Sequence, residues 1–237
     1  MICKKELELI CAEFHLTLVN VEKKLIELGR DGLLLEKKTE IPMPISYDNE
    51  PKLQLNRIYF AMASLLLKNV KNILEIGTGT GWSTATFSRL FPDADIYTID
   101  LPEDDPNYKK EYRGESDLRA KTRRENLNKE NIISIKKNSF FLSTMDLPNK
   151  FDIILVDGDH DYPQVGADIM FAYSHIVEGG FIFMHDYSIV QSNDNVTHAV
   201  DWIKQRVPER ISLFPQLTFF EAMSIKMALL IKGRFIT

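Results

Sequence analysis

A few short runs in this 237-residue chain bring together residue types that can hold a polar ligand or move a proton. The first is Glu75, Ile76, Gly77, Thr78, Gly79, Thr80, Gly81, Trp82, Ser83. Glycines at alternate positions let a backbone turn tightly and come close to a ligand. A helix beginning near Trp82 would offer free N–H groups to a carboxylate. Glu75, Gly77, Thr78, Gly79, Gly81 and Ser83 are therefore candidate ligand-binding residues. The spacing is not GxGxxG, because the third glycine of that fingerprint would fall on Trp82, so a dinucleotide pyrophosphate is disfavoured. The run IYTID closes on Asp100, and an acidic residue about 20 positions beyond such glycines can accept hydrogen bonds from both hydroxyls of a ribose. The plainer reading of Asp100 is a surface carboxylate near a turn. Asn138 and Ser139 could meet the edge of a base or cap the helix that follows them.

A second group is acidic and imidazole-rich. Asp157, Gly158, Asp159, His160, Asp161, Tyr162 follow one apolar run, and His185, Asp186, Tyr187 follow the next. Oxygen-rich clusters hold hard cations such as Mg²⁺, which makes Asp157, His185 and Asp186 candidate ligands of a divalent cation. A histidine in the set shifts preference toward transition metals. The alternative is that Asp157 contacts only a cofactor, while His185 and Asp186 order local loops. Histidine titrates near neutral pH, so His160 or His185 could act as a general base, with Asp186 in the same catalytic group.

Something must deliver these residues to one place, and the apolar pattern says what. From residue 72 onward short apolar runs alternate with helical patterns. Strands are expected at Ile73–Ile76, Asp95–Ile99, Ile132–Ile135, Phe151–Val156, Phe181–Met184, Ile211–Phe214 and Ile225–Ile231. Helices are expected at about 82–91, 116–128, 139–145, 163–177 and 195–207. Such alternation builds a largely parallel sheet covered on both faces. The link from Pro215 to Ser224 has no room for a crossover helix, so the last two strands should pair antiparallel. In open sheets of this kind ligands bind beyond the carboxyl ends of the strands, where every candidate above falls. The expected fold is α/β: a doubly wound, mostly parallel seven-stranded sheet with an antiparallel last strand, plus an N-terminal helical extension. The division is 1–70 for the extension and 71–237 for the sheet domain.

In the extension, Leu7, Cys11, Phe14, Leu18, Val21, Leu25 and Leu28 alternate steps of four and three, an apolar stripe on one helix that Gly29 and Gly32 would stop. The stripe could be a homodimer seam or could pack on its own domain. Residues 36–53 hold three prolines and no periodicity, a loop long enough to cover an active site. Asn49 and Pro51 then mark a helix start, with Leu55, Ile58, Ala61, Ala63, Leu65 and Leu66 as its buried face.

Composition narrows the partners. Net charge is −5, and nucleic-acid binders usually carry a basic surplus, so nucleic acid is unlikely to be the ligand. Lys121, Arg123, Arg124 and Lys129 read as a solvated helix face. If Cys3 and Cys11 share one helix, about 12 Å of rise separates them, too far for a disulfide. There is no CxxC, no secretory signal and no apolar stretch of membrane-spanning length, and the simplest address is the cytoplasm.

In this order, EIGTGTG at 75–81, Asp100, FDIILVDGDH at 151–160 and EGGFIFMHDY at 178–187 resemble the S-adenosylmethionine-dependent methyltransferases with the Rossmann-like fold. The likeness spans about 72–232, and DGDHDYPQVGADI followed by GGFIFMHDY resembles the small-molecule O-methyltransferases. It implies that Glu75, Gly77, Gly79 and Gly81 line the methionine end of the cofactor, with Ser83 near its carboxylate. It further implies Asp100 on the ribose and Asn138 and Ser139 by the adenine. In metal-dependent members an acidic residue matching Asp157 and an acidic pair matching His185 and Asp186 hold the cation; here the first of that pair is histidine. The implied chemistry is methyl transfer to the hydroxyl of a small-molecule acceptor, with a link at 100–118 folded over the site. Competing readings are N-methylation, RNA methylation and a non-catalytic nucleoside-binding assembly protein.

Overall fold

The computed structural model describes residues 4–30, 56–106, 108, 117–188, 195–215 and 225–235. The loop at 36–53, with Tyr47, and most of the link at 107–116, with Tyr112, lie outside them. The apolar runs form the expected strands: β1 (Asn72–Ile76), β2 (Asp95–Asp100), β3 (Ile132–Lys136), β4 (Phe151–Val156), β5 (Ile176–Ser188), β6 (Glu209–Pro215) and β7 (Ile225–Phe235). They make one seven-stranded sheet in the order β3-β2-β1-β4-β5-β7-β6. All neighbouring pairs from β3 to β5 are parallel, and β7 runs antiparallel to both β5 and β6. This is the Rossmann-like arrangement.

Successive side chains of a strand point to opposite faces, and β4 shows the consequence. Ile153 and Leu155 enter one core with α1 (Lys4–Glu13), α2 (Leu18–Arg30), α3 (Asn56–Leu66) and α4 (Trp82–Leu90). Ile154 and Val156 enter the other with α6 (Gln164–His175) and α7 (Asn195–Lys204). The remaining helix, α5 (Asp117–Leu127), lies between β2 and β3 in sequence. A 3₁₀ helix at Ser139–Thr144 takes the place of the helix expected at 139–145.

The N-terminal stripe is not one helix. It breaks between α1 and α2, where His15 adopts φ 56° and the Leu16 N–H bonds back to the Cys11 carbonyl. Thr17 then accepts from the Asn20 N–H and starts α2. The stripe keeps its phase across the break, and all seven of its residues are buried in the chain's own core. Phe14 packs edge-on against Phe214 of β6, and Glu13 pairs with Arg210 at 3.1 Å, so α1 is tied to the sheet edge. Cys11 is a free, buried thiol. Among the described residues no helix is long and apolar enough to cross a membrane.

Strand β5 begins five residues earlier than its apolar run. The pairing with β4 shifts register between Phe151 and Ile153, which accommodates the glycine pair Gly179 and Gly180. The start of β1 is held by the Asp152 carboxylate, which accepts from the Lys71 and Asn72 N–H groups at 2.8 and 3.0 Å.

Phe60 of α3 is fully buried, with ring centroids 4.4 Å from Phe87 of α4 and 5.3 Å from Phe183 of β5. Truncating such a ring costs about 3–5 kcal/mol. Phe60→Ala should lower stability by that amount in chemical denaturation, whereas loss below about 1 kcal/mol would show that α3 is not integral to the sheet domain.

Candidate functional site

The ends of β2, β1 and β4 are laced together at the glycine turn. The Gly77 N–H donates to the Ile99 carbonyl at 2.8 Å, and the Asp157 N–H donates to the Ile76 carbonyl at 2.8 Å. Gly77 has φ +97°, and a Cβ there would fall 2.0 Å from the Asp157 carbonyl oxygen, so no side chain fits. Gly79 has φ +52°, and a Cβ there would meet nothing within 4 Å. The turn is thus closed toward β4 at one glycine and open at another. Gly81, left-handed at φ 76°, leads into α4.

Several expected ligand residues face away from that opening. Glu75 is buried, and its carboxylate accepts from the hydroxyls of Thr84 and Thr98. Burial pushes its pKa up to about 8, against the lowering effect of those two hydroxyls. Thr78 is also buried, its hydroxyl 2.7 Å from that of Thr98. These side chains support the turn from behind. Ser83, at the start of α4, accepts from the guanidinium of buried Arg57 at 3.2 Å. From the other side α5 grips the turn: Arg123 Nε donates to the Gly79 carbonyl and Asn126 to the Thr80 carbonyl at 2.9 Å. Arg123 also donates to the Tyr108 hydroxyl at 2.9 Å. Arg123 is therefore a buried structural cation, which corrects its reading as part of a solvated face; Lys121 and Arg124 are exposed as expected.

In front of the turn lies a cleft of about 470 Å³. Gly77 and Gly79 form its floor, and Asp100 stands at the β2 end. Asn138 and Ser139 follow β3, Asp157 to Asp161 follow β4, and Gln164 and Asp186 complete the wall. Asp100 is mostly buried, with one oxygen accepting from the Leu101 N–H at 2.9 Å and the other 3.8 Å from Lys136 Nζ. Asn138 caps the 3₁₀ helix, its side-chain oxygen accepting from the Phe140 N–H at 2.9 Å. Ser139 joins a network that the sequence reading missed. Gln164 Nε2 donates to Ser139 Oγ at 2.8 Å and to Asp168 Oδ1 at 2.7 Å, and Ser139 Oγ donates to Asp168 Oδ2 at 3.2 Å. Asp168 is fully buried, and burial pushes its pKa up to about 6 despite those donors. A helical turn from Gln164 to Asp168 was visible as spacing, but nothing marked it as facing a ligand.

The acidic and imidazole residues do converge. His185 Nδ1 lies 3.1 Å from both Asp157 Oδ1 and Asp186 Oδ2. Burial works to lower the His185 pKa, but the two flanking carboxylates outweigh it and raise it to about 10. The two carboxylates thus favour the charged form of His185. His160 Nε2 is 3.4 Å from Asp186 Oδ2, and its side chain is about half exposed. Asp157, His160 and Asp186 each place one ligand atom within 4.8 Å of the others. Two carboxylates and an imidazole fit a divalent cation. The geometry brings His160 to the two aspartates as well, while His185, the expected ligand, lies 3.1 Å from each of them. Beside the cluster Tyr187 is buried and donates to Asp201 at 3.0 Å, while the Tyr108 hydroxyl accepts from Arg123.

Residues 74–187 match a family described as a methyltransferase domain, and residues 25–102 match the protein-L-isoaspartate (D-aspartate) O-methyltransferases. An uncharacterised protein of Acanthamoeba polyphaga mimivirus is 33% identical over 93 residues, 38% of this chain. The chain spans 42% of that relative's length. The O-methyltransferase TomG from Streptomyces achromogenes, involved in tomaymycin synthesis and solved with S-adenosylmethionine, shares the fold with a TM-score of 0.56 at 15% identity. That likeness covers 98% of this chain and 100% of the other. Precorrin-6y C5,15-methyltransferase from Geobacter metallireducens shares it with a TM-score of 0.52 at 14% identity, over 80% and 93%.

The buried groups set a pH dependence of stability. Glu75 and His185 both have folded pKa values above their ordinary ones, so each binds a proton in the folded state that the unfolded chain has released. Stability then falls as pH rises, between 4.5 and about 8 for Glu75 and between 6.5 and about 10 for His185. Thermal denaturation of the ligand-free protein should show this decline. Glu75→Gln should flatten the lower part and His185→Gln the upper part; an unchanged profile in either variant would contradict the assignment.

Proposed function

We propose, from the premise that this chain carries an S-adenosylmethionine-dependent methyltransferase domain with the Rossmann-like fold, that it transfers the methyl group to a hydroxyl oxygen of a small molecule. The observation that carries this reading is the cleft itself: an open glycine floor beside an acidic strand end, with an imidazole–carboxylate pair on the same wall. The sulfonium already activates the methyl carbon, so the protein has to bind both reactants and align the acceptor oxygen in line with it. Asp100 takes the ribose hydroxyls, and the N–H groups at the start of α4 take the amino-acid carboxylate, with Ser83 close by. Net acidity favours a small acceptor over RNA.

A hydroxyl acceptor must lose its proton as the new bond forms. His160, at the exposed rim and paired with Asp186, is placed to accept it. His185 is less suited, because its two carboxylate neighbours favour its charged form. The trio Asp157, His160 and Asp186 favours a second reading, in which it holds a divalent cation. Such a cation would lower the pKa of the acceptor hydroxyl and anchor its oxygen.

Two outcomes test the proposal. Calorimetry should show S-adenosylhomocysteine binding, and Asp100→Asn should weaken it about 10- to 100-fold through lost charged hydrogen bonds; equal binding would remove Asp100 from the site. With labelled S-adenosylmethionine and a panel of phenols, alcohols and matched amines, label should appear on oxygen. His160→Ala should cut turnover about 100-fold or more while cofactor affinity stays within threefold. Activity that survives excess chelator assigns the proton to His160, whereas activity lost to chelator and restored by Mg²⁺ or Mn²⁺ assigns the cation. Label on the amines alone would overturn the hydroxyl acceptor.

A further inference from the structure

The far end of the cleft, beyond Asp100, is walled by Asn138, Ser139 and Gln164. A nucleoside whose sugar hydroxyls meet Asp100 must turn its base toward this wall. The hydrogen-bonding groups here are mostly committed. Asn138 spends its side-chain oxygen on the Phe140 N–H, which leaves its amide nitrogen as a donor. Ser139 Oγ donates to Asp168 and accepts from Gln164. Gln164 uses its amide nitrogen on both Asp168 and Ser139. An ionised carboxylate only accepts hydrogen bonds, so Asp168 forces the nitrogen of the Gln164 amide inward. Its oxygen is thereby left as the acceptor, and among the described residues no protein donor reaches it.

The wall therefore offers an acceptor from Gln164 and a donor from Asn138. Adenine presents the matching pair along one edge, an exocyclic amino donor beside a ring-nitrogen acceptor. A 6-oxopurine presents the reverse, a carbonyl acceptor beside an N–H donor. We propose that Gln164 is the residue that selects the aminopurine base of the cofactor, with Asp168 as the positioning residue that fixes its amide. The proposal rests on the nucleoside reading of the cleft and adds to it the group that reads the base. Asp168 repays its burial by orienting Gln164 and Ser139 at once, which explains a fully buried carboxylate one turn behind the cleft wall.

The test compares two ligands that differ only in that edge, S-adenosylhomocysteine and S-inosylhomocysteine, by calorimetry on the full chain. Wild type should bind the adenosyl compound about tenfold more tightly or better, since the wrong base leaves polar groups unmatched. Gln164→Met should bring the two affinities within about threefold, mainly by weakening the adenosyl compound. Asp168→Asn, a near-isosteric change that lets the Gln164 amide turn over, should lower the ratio without weakening the inosyl compound. Equal binding of the two ligands by wild type, or a wild-type ratio retained in Gln164→Met, would overturn the proposal. A ratio retained in Asp168→Asn alone would overturn the positioning role. If wild type binds neither ligand, the failure lies with the nucleoside reading itself.

Discussion

The site depends on one close approach. The backbone of Gly77 comes so near the carbonyl of Asp157 that a single carbon between them has nowhere to go. Because β1 and β4 meet this closely, the turn after β1 and the acidic loop after β4 share one wall. The ligand floor and the chemistry beside it are therefore set by the same contact. The surrounding groups protect it. Glu75 is held by threonine hydroxyls from α4 and β2, and Arg123 and Asn126 of α5 grip the turn's carbonyls. A turn left to itself would lose backbone entropy at three glycines; the bonds on both sides offset that cost.

The cleft divides by charge and by rigidity. On the side of Asp100 and Gln164 the polar groups are held by hydrogen bonds, Asp100 by the Leu101 N–H and Gln164 by Ser139 and Asp168. On the side of His160 and Asp186 the groups are more exposed, and the His185 imidazole lies 3.1 Å from two carboxylates. The fold is shared by O- and C-methyltransferases and does not by itself fix the acceptor.

Much of this was legible in the residue pattern. The strand runs are short, apolar and bounded by turn residues, so all seven emerged within a few residues of their ends. The glycine spacing and Asp100 announced the cleft because they answer to local backbone needs and to a fixed place at strand ends. What stayed hidden depends on tertiary neighbours. The helix break at His15 leaves the apolar phase intact, so periodicity does not register it, though Thr17 is a residue that caps helices. Arg123 reads as one charge among several until α5 is docked against the turn. Glu75 and Thr78 sit within the motif yet face inward, which their spacing alone does not reveal. Gln164 and Asp168 lie inside the run DGDHDYPQVGADI, but their shared network exists only because Ser139 arrives from another strand.

The whole reading rests on a nucleoside lying across the glycine floor with its sugar at Asp100 and its base at Gln164. The most direct measurement is a crystal structure of the protein with S-adenosylhomocysteine. The ribose hydroxyls should lie within hydrogen-bond distance of Asp100, the sulfur above Gly77 and Gly79, and the adenine amino group on the Gln164 side-chain oxygen. A nucleoside bound elsewhere, or a cleft left empty at saturating ligand, would contradict it.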